Sequence, residues 1–109
     1  MKLEFVDLYQ EFGLQRESAE AGFLYAWIPD VPKTVSKCRK RPAVLILPGG
    51  GYHHTSEREA EPVALRFAVR GYVAFVLHYS CAPSHFPVQL REAALAMRYI
   101  RENCQRLSF

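Results

Sequence analysis

The stretch LILPGGGYHHTSEREAEP, residues 45–62, sets three consecutive glycines between an apolar run and a segment rich in acids. Upstream, AVLIL (residues 43–47) is continuously apolar, and downstream YVAFVLHY (residues 72–79) repeats that character. Continuous rather than alternating apolarity suits a strand covered on both faces, as in a parallel sheet between helices. Between the two runs, Ala60, Val63, Ala64, Phe67 and Ala68 recur at helical spacing, and Gly71 supplies a C-terminal stop. Ser56 with Glu59 has the pattern of a capping box, but Pro62 interrupts it, so the first turn is expected to be separate and the main helix to start at Pro62.

A second helix is expected from about Pro87 to Leu107, with Leu90, Ala93, Ala94, Met97, Ile100, Arg101, Cys104 and Leu107 on its buried face. Before the glycines, KLEFVDLY (residues 2–9) reads as an edge strand and GFLYAWI (residues 22–28) as a second, the two forming an antiparallel ribbon. The fold class is α/β. The strand–helix–strand–helix unit from residue 43 onward implies a right-handed crossover. A further strand is expected after its last helix, so the chain reads as the N-terminal part of one larger domain.

Composition limits the alternatives. The chain has 109 residues, half of them hydrophobic, which is enough for one core. No apolar run approaches the roughly 20 residues that cross a bilayer, and the N-terminus lacks the apolar region of a secretion signal. A soluble, cytoplasmic protein without membrane partners is the expectation. Cys38, Cys81 and Cys104 have no disulfide or metal spacing and are expected to be reduced. The net charge of +3 is concentrated in KTVSKCRKR (residues 33–41), which holds five of the fourteen Lys and Arg. With prolines on both sides and no interleaved aromatics, that run reads as a solvated loop rather than a nucleic-acid grip.

The glycines lie where a buried strand ends and a helix is about to begin, the position at which open α/β sheets bind ligands. A phosphate loop would need a Gly-Lys pair that is absent, and a dinucleotide fingerprint counted from Gly49 meets His54 where its third glycine belongs. Two readings remain: an oxyanion hole, in which glycines turn backbone N–H groups toward a developing negative oxygen, or a plain tight turn.

The series from Arg41 to Pro83, RPAVLILPGGGYHHTSEREAEPVALRFAVRGYVAFVLHYSCAP, resembles the N-terminal half of α/β-hydrolase esterases and lipases. It is most similar to the branch related to acetyl esterases and acetylxylan esterases. The resemblance implies a serine-dependent carboxylic ester hydrolase acting on a small-molecule ester, with no cofactor or metal. It implies that Gly50 and Gly51 donate oxyanion-hole N–H groups, that Gly49 allows the turn, and that Tyr52 and Ser80 help line the pocket. Many relatives carry histidine where this chain has Pro48.

The same resemblance requires a serine in G-x-S-x-G and a later acid and histidine, and no serine here lies in that pattern. Ser84 with His85, and His53 with His54, are adjacent pairs, poorly disposed to act as nucleophile and base. The 109 residues alone are therefore expected to be inactive, to need the missing C-terminal part of their domain, and to expose the apolar edge at residues 43–47. The rival reading is a catalytically inactive α/β remnant or an interaction module.

Overall fold

The structure, a computed structural model, describes residues 1–17, 21–31 and 40–109. Seven residues of the basic run, 33–39, Cys38 among them, therefore lie outside the described residues, and only Lys40 and Arg41 of that run are placed.

Strand β1 (Lys2–Asp7) leads into a single helical turn, α1 (Leu8–Glu11), whose N-cap Asp7 accepts from the Gln10 N–H. Strand β2 (Phe23–Ile28) pairs antiparallel with β1, giving the expected ribbon, with Phe5 opposite Tyr25. Then come β3 (Ala43–Ile46), a 3₁₀ turn at Glu57–Glu59, helix α2 (Glu61–Val69), strand β4 (Val73–His78) and helix α3 (Val88–Glu102). Among the described residues the sheet has the order β1-β2-β4-β3, with β4 antiparallel to β2 and parallel to β3. The sheet is therefore mixed.

Helices cover both faces, giving three layers. Along β4, Val73, Phe75 and Leu77 point to a core shared with Leu8 of α1 and with Ala96, Tyr99 and Ile100 of α3. The alternate residues Ala74 and Val76 join Trp27 and the small side chains Ala60, Ala64 and Ala68 under α2. Both registers of β4 are thus buried, which is why its sequence is apolar without alternation. Strand β3 has the same character but lies at the sheet edge, and its residues are only half-buried or exposed.

Two expectations are corrected here. Ser56 makes no side-chain capping bond, contrary to the capping-box pattern, whereas the separate first turn is as expected: a 3₁₀ turn at Glu57–Glu59, with α2 starting at Glu61 and Pro62 in its first turn, where a missing N–H costs nothing. The end of α2 is as expected. Gly71 N–H donates to Ala68 and Tyr72 N–H to Phe67, a Schellman closure, and the Phe67 and Tyr72 rings meet at 5.1 Å.

The second correction concerns α3. Leu90, Ala94 and Met97, expected inside, are exposed, whereas Glu92, Ala96, Tyr99 and Ile100 are buried. The buried stripe is displaced by two residues at the start of the helix, because Glu92 is drawn into the core by partners on other elements.

Candidate functional site

The C-terminal ends of the parallel strands β3 and β4 lie side by side, and the loops leaving them meet above the sheet. The loop after β3 contains the glycines. Gly50 has φ +155°, and a Cβ placed on it would lie 2.0 Å from the carbonyl oxygen of His54, so only glycine lets the chain fold back this tightly. Gly51 and Tyr52 follow at φ +65° and +62°. Tyr52 is thus a bulky residue held in left-handed backbone, a conformation that costs on the order of 1 kcal/mol or more and is concentrated at functional sites.

The turn closes on itself through Ser56 N–H to Gly49 O at 2.8 Å and His53 N–H to Gly50 O at 3.2 Å. Within the described residues, the N–H groups of Gly50 and Gly51 donate to no protein acceptor. Two consecutive donors are therefore left open at the end of a buried sheet.

The second loop braces the first. Tyr79 Oη donates to the Pro48 carbonyl, Ala82 N–H donates to Tyr52 O at 2.6 Å, and Thr55 Oγ1 lies 3.1 Å from His78 Nδ1. Burial pushes the Tyr79 phenol above its ordinary range, reinforced by Cys81, Tyr52 and Glu59, so it remains the proton donor to Pro48. Burial likewise depresses the His78 imidazole, with Glu57 opposing.

Beside these loops lies a cleft of about 660 Å³, lined by Leu47, Tyr52, Leu77 and Tyr79 on one side and by Phe86, Leu90 and neighbouring residues on the other. Its walls are mainly apolar, with Ser84, His85 and Gln89 as the polar exceptions. Tyr52 thus borders the cleft, and its ring meets Tyr79 edge-on at 6.1 Å.

Ser80 is placed elsewhere. It is completely buried, its Oγ donates to Glu92 Oε2 at 2.7 Å and its N–H to Oε1 at 2.6 Å, so it presents nothing to the cleft. The expectation that Ser80 lines the pocket fails because a buried carboxyl group one helix away captures both of its donors.

Sequence reasoning did not single out Tyr79 or Glu92. Tyr79 ends an apolar run, and its role depends on a carbonyl 31 positions away. Glu92 falls between the apolar positions of the expected helix, and its partners Tyr9 and Ser80 are 83 and 12 positions away. No three His, Cys, Asp or Glu side chains gather as a metal site among the described residues, and no helix there is long and apolar enough to cross a membrane.

No family model matches the chain. Among solved structures, an α/β hydrolase enzyme from a Medee basin deep-sea metagenome library superposes with a TM-score of 0.85 at 36% identity, over all of this chain and 42% of that one. An acetyl ester-xyloside bifunctional hydrolase from Caldicellulosiruptor lactoaceticus gives 0.71 at 33% identity, over 80% of this chain and 30% of that one. A carboxylesterase from Lactobacillus plantarum gives 0.80 at 22% identity, over 99% and 38%, a likeness of fold alone. The endo-1,4-beta-xylanase B of Butyrivibrio fibrisolvens is 38% identical over 72 residues, which are 62% of this chain and 11% of that protein. The chain thus spans less than half the length of each of these relatives. In strand order, helix placement and sequence likeness, it carries part of the α/β-hydrolase fold and resembles the esterases of that superfamily.

Proposed function

We propose that this chain supplies the oxyanion-hole loop of a serine-dependent carboxylic ester hydrolase that removes short acyl groups, such as acetyl from carbohydrates. The observation that carries the reading is the pair of open donors, Gly50 N–H and Gly51 N–H, on a loop bordering the cleft through Leu47 and Tyr52. The likeness to esterases, among them an acetyl ester hydrolase, supports the reaction class.

In this reading the attacking serine, its histidine and its acid lie in a part of the domain outside these residues. The serine adds to the ester carbonyl, and the oxygen that takes up negative charge is received by Gly50 and Gly51. Glycine serves here because no side chain stands between donor and oxygen. Tyr52 forms part of the wall, and Leu77 and Phe86 give the cleft apolar surface against which a short acyl group would pack.

The test is an amide-to-ester replacement at Gly51 in the polypeptide that joins this chain to its serine. That change deletes one donor and leaves the side chains intact. Turnover of p-nitrophenyl acetate should fall by about a hundredfold or more, the usual cost of one oxyanion donor, with KM nearly unchanged. Unchanged turnover would exclude the loop from the hole and leave a remnant or interaction module.

A further inference from the structure

Among the described residues, the hydrogen bonds that hold the glycine loop from outside trace to one short segment. His78, Tyr79 and Ala82 hold Thr55, Pro48 and Tyr52 respectively, so the open donors at Gly50 and Gly51 are clamped on both flanks. Ser80 stands in the middle of that segment and is tied at two points to Glu92 of α3. The second oxygen of Glu92 also accepts from Tyr9 Oη at 2.6 Å, which fastens the same carboxyl to α1.

The arrangement is unusual on energetic grounds. Glu92 is fully buried, and its hydrogen-bond donors among the described residues, the Tyr9 hydroxyl and the Ser80 hydroxyl and N–H, are all neutral. A carboxyl group in such a place carries a desolvation penalty that an apolar side chain of similar size would avoid, and three neutral donors offset it only in part. What an apolar residue could not do is hold a backbone N–H and a hydroxyl of the same residue in a fixed direction. The geometry points to Glu92 as a positioning residue: through Ser80 it sets residues 78–82, and through Tyr79 and Ala82 it sets the height and tilt of the Gly50 and Gly51 donors. This inference rests on the oxyanion-hole reading and adds to it a control point on α3, which does not itself touch the substrate.

The chain of contacts makes each link separately removable. Tyr79→Phe deletes the bond to Pro48 and keeps the ring. Ser80→Ala deletes one of the two bonds to Glu92. Glu92→Gln keeps an acceptor for Ser80 N–H, with an amide that can donate to the Tyr9 and Ser80 hydroxyls, whereas Glu92→Ala removes everything.

Two readouts separate the inference from the function it refines. In the 109-residue chain, amide hydrogen exchange is followed at His53, Ser56 and Ala82, the donors that close and clamp the loop. Tyr79→Phe and Ser80→Ala should each raise exchange at these three amides by about fivefold, the change one ordinary hydrogen bond carries, while the β4 amides stay put. Glu92→Gln should remain close to the parent chain. In the polypeptide carrying the serine, the same two variants should lower kcat by about tenfold with little change in KM, less than the hundredfold of deleting a donor outright.

Exchange that rises equally in β4, or not at all at the three loop amides, would overturn the positioning role and make Glu92 a general core residue. Loop exchange that responds while the Gly51 amide-to-ester replacement leaves turnover intact would keep the clamp and sink the oxyanion reading. Should Glu92→Ala fail to fold, Tyr79→Phe and Ser80→Ala still decide the matter.

Discussion

Gly50 and His54 approach so closely that a Cβ on the former would sit 2.0 Å from the carbonyl oxygen of the latter. The obstacle is backbone, which cannot swing aside as a side chain would. At Gly51 the nearest atom to an added Cβ is the His53 ring at 3.8 Å, so only the positive φ opposes substitution there. Gly51→Ala should therefore cost about 1–2 kcal/mol, and Gly50→Ala clearly more, about 3 kcal/mol or above, because the turn must open. Urea unfolding of the two variants checks the order, and equal losses would mean that the His54 carbonyl gives way.

Glu92 offers a second comparison. Replacing it by alanine leaves the Tyr9 hydroxyl and both Ser80 donors without their acceptor inside the core. Each buried polar group stranded in this way costs about 1–3 kcal/mol, so Glu92→Ala should lose about 3 kcal/mol or more, and Glu92→Gln about 1 kcal/mol. Thermal unfolding of the pair measures the gap. A Glu92→Ala chain as stable as the parent would show that water can enter and replace the carboxyl group.

The placement of α3 is checked from its two sides. Ile100 packs in the core with Ala96 and Tyr99, so Ile100→Ala should cost about 2–5 kcal/mol. Met97 is 40% exposed, and Met97→Gln should change stability by no more than about 0.5 kcal/mol. A large loss at Met97 would restore the helix face expected from apolar spacing.

These contrasts show where the sequence was readable. Strand β4 was legible because both faces are buried by its own neighbours, and the ribbon of β1 and β2 because Phe5 and Tyr25 fall opposite each other in short, bounded runs. The glycine loop was legible as a turn, since Gly50 has no alternative. The orientation of α3 was not, because apolar spacing assigns Leu90 and Met97 to the core and has no means of knowing that Tyr9, 83 positions before Glu92, draws a carboxyl group inward. Ser80 was misplaced for the same reason. Long-range polar contacts leave no periodic trace in a sequence, and here they decide which side chains reach the cleft.

Stability should fall on both sides of neutrality, from groups that can be named. In acid, burial depresses the His78 imidazole below its ordinary 6.5, so below that pH the unfolded chain takes up a proton more readily than the folded one, and stability declines. Further down, the guanidinium of Arg106, bonded to Glu4 through both oxygens at 2.9 Å, holds the Glu4 carboxyl below 4.5. That contribution is complete above pH 4.5 and disappears as pH drops through the folded value. In alkali the sign comes from the phenols. Burial raises Tyr9, Tyr79 and Tyr99 above 10, Tyr9 also through its bond to Glu92, so the unfolded chain releases its protons first and stability falls from about pH 10 upward. Thermal midpoints from pH 3 to 11 provide the check. The deficit of Glu4→Gln relative to the parent should be constant near neutrality and shrink below pH 4.5, and Tyr9→Phe should flatten the alkaline limb. A Glu4→Gln deficit that persists unchanged at pH 3 would show that packing of the side chain, rather than its ion pair with Arg106, joins β1 to the segment after α3.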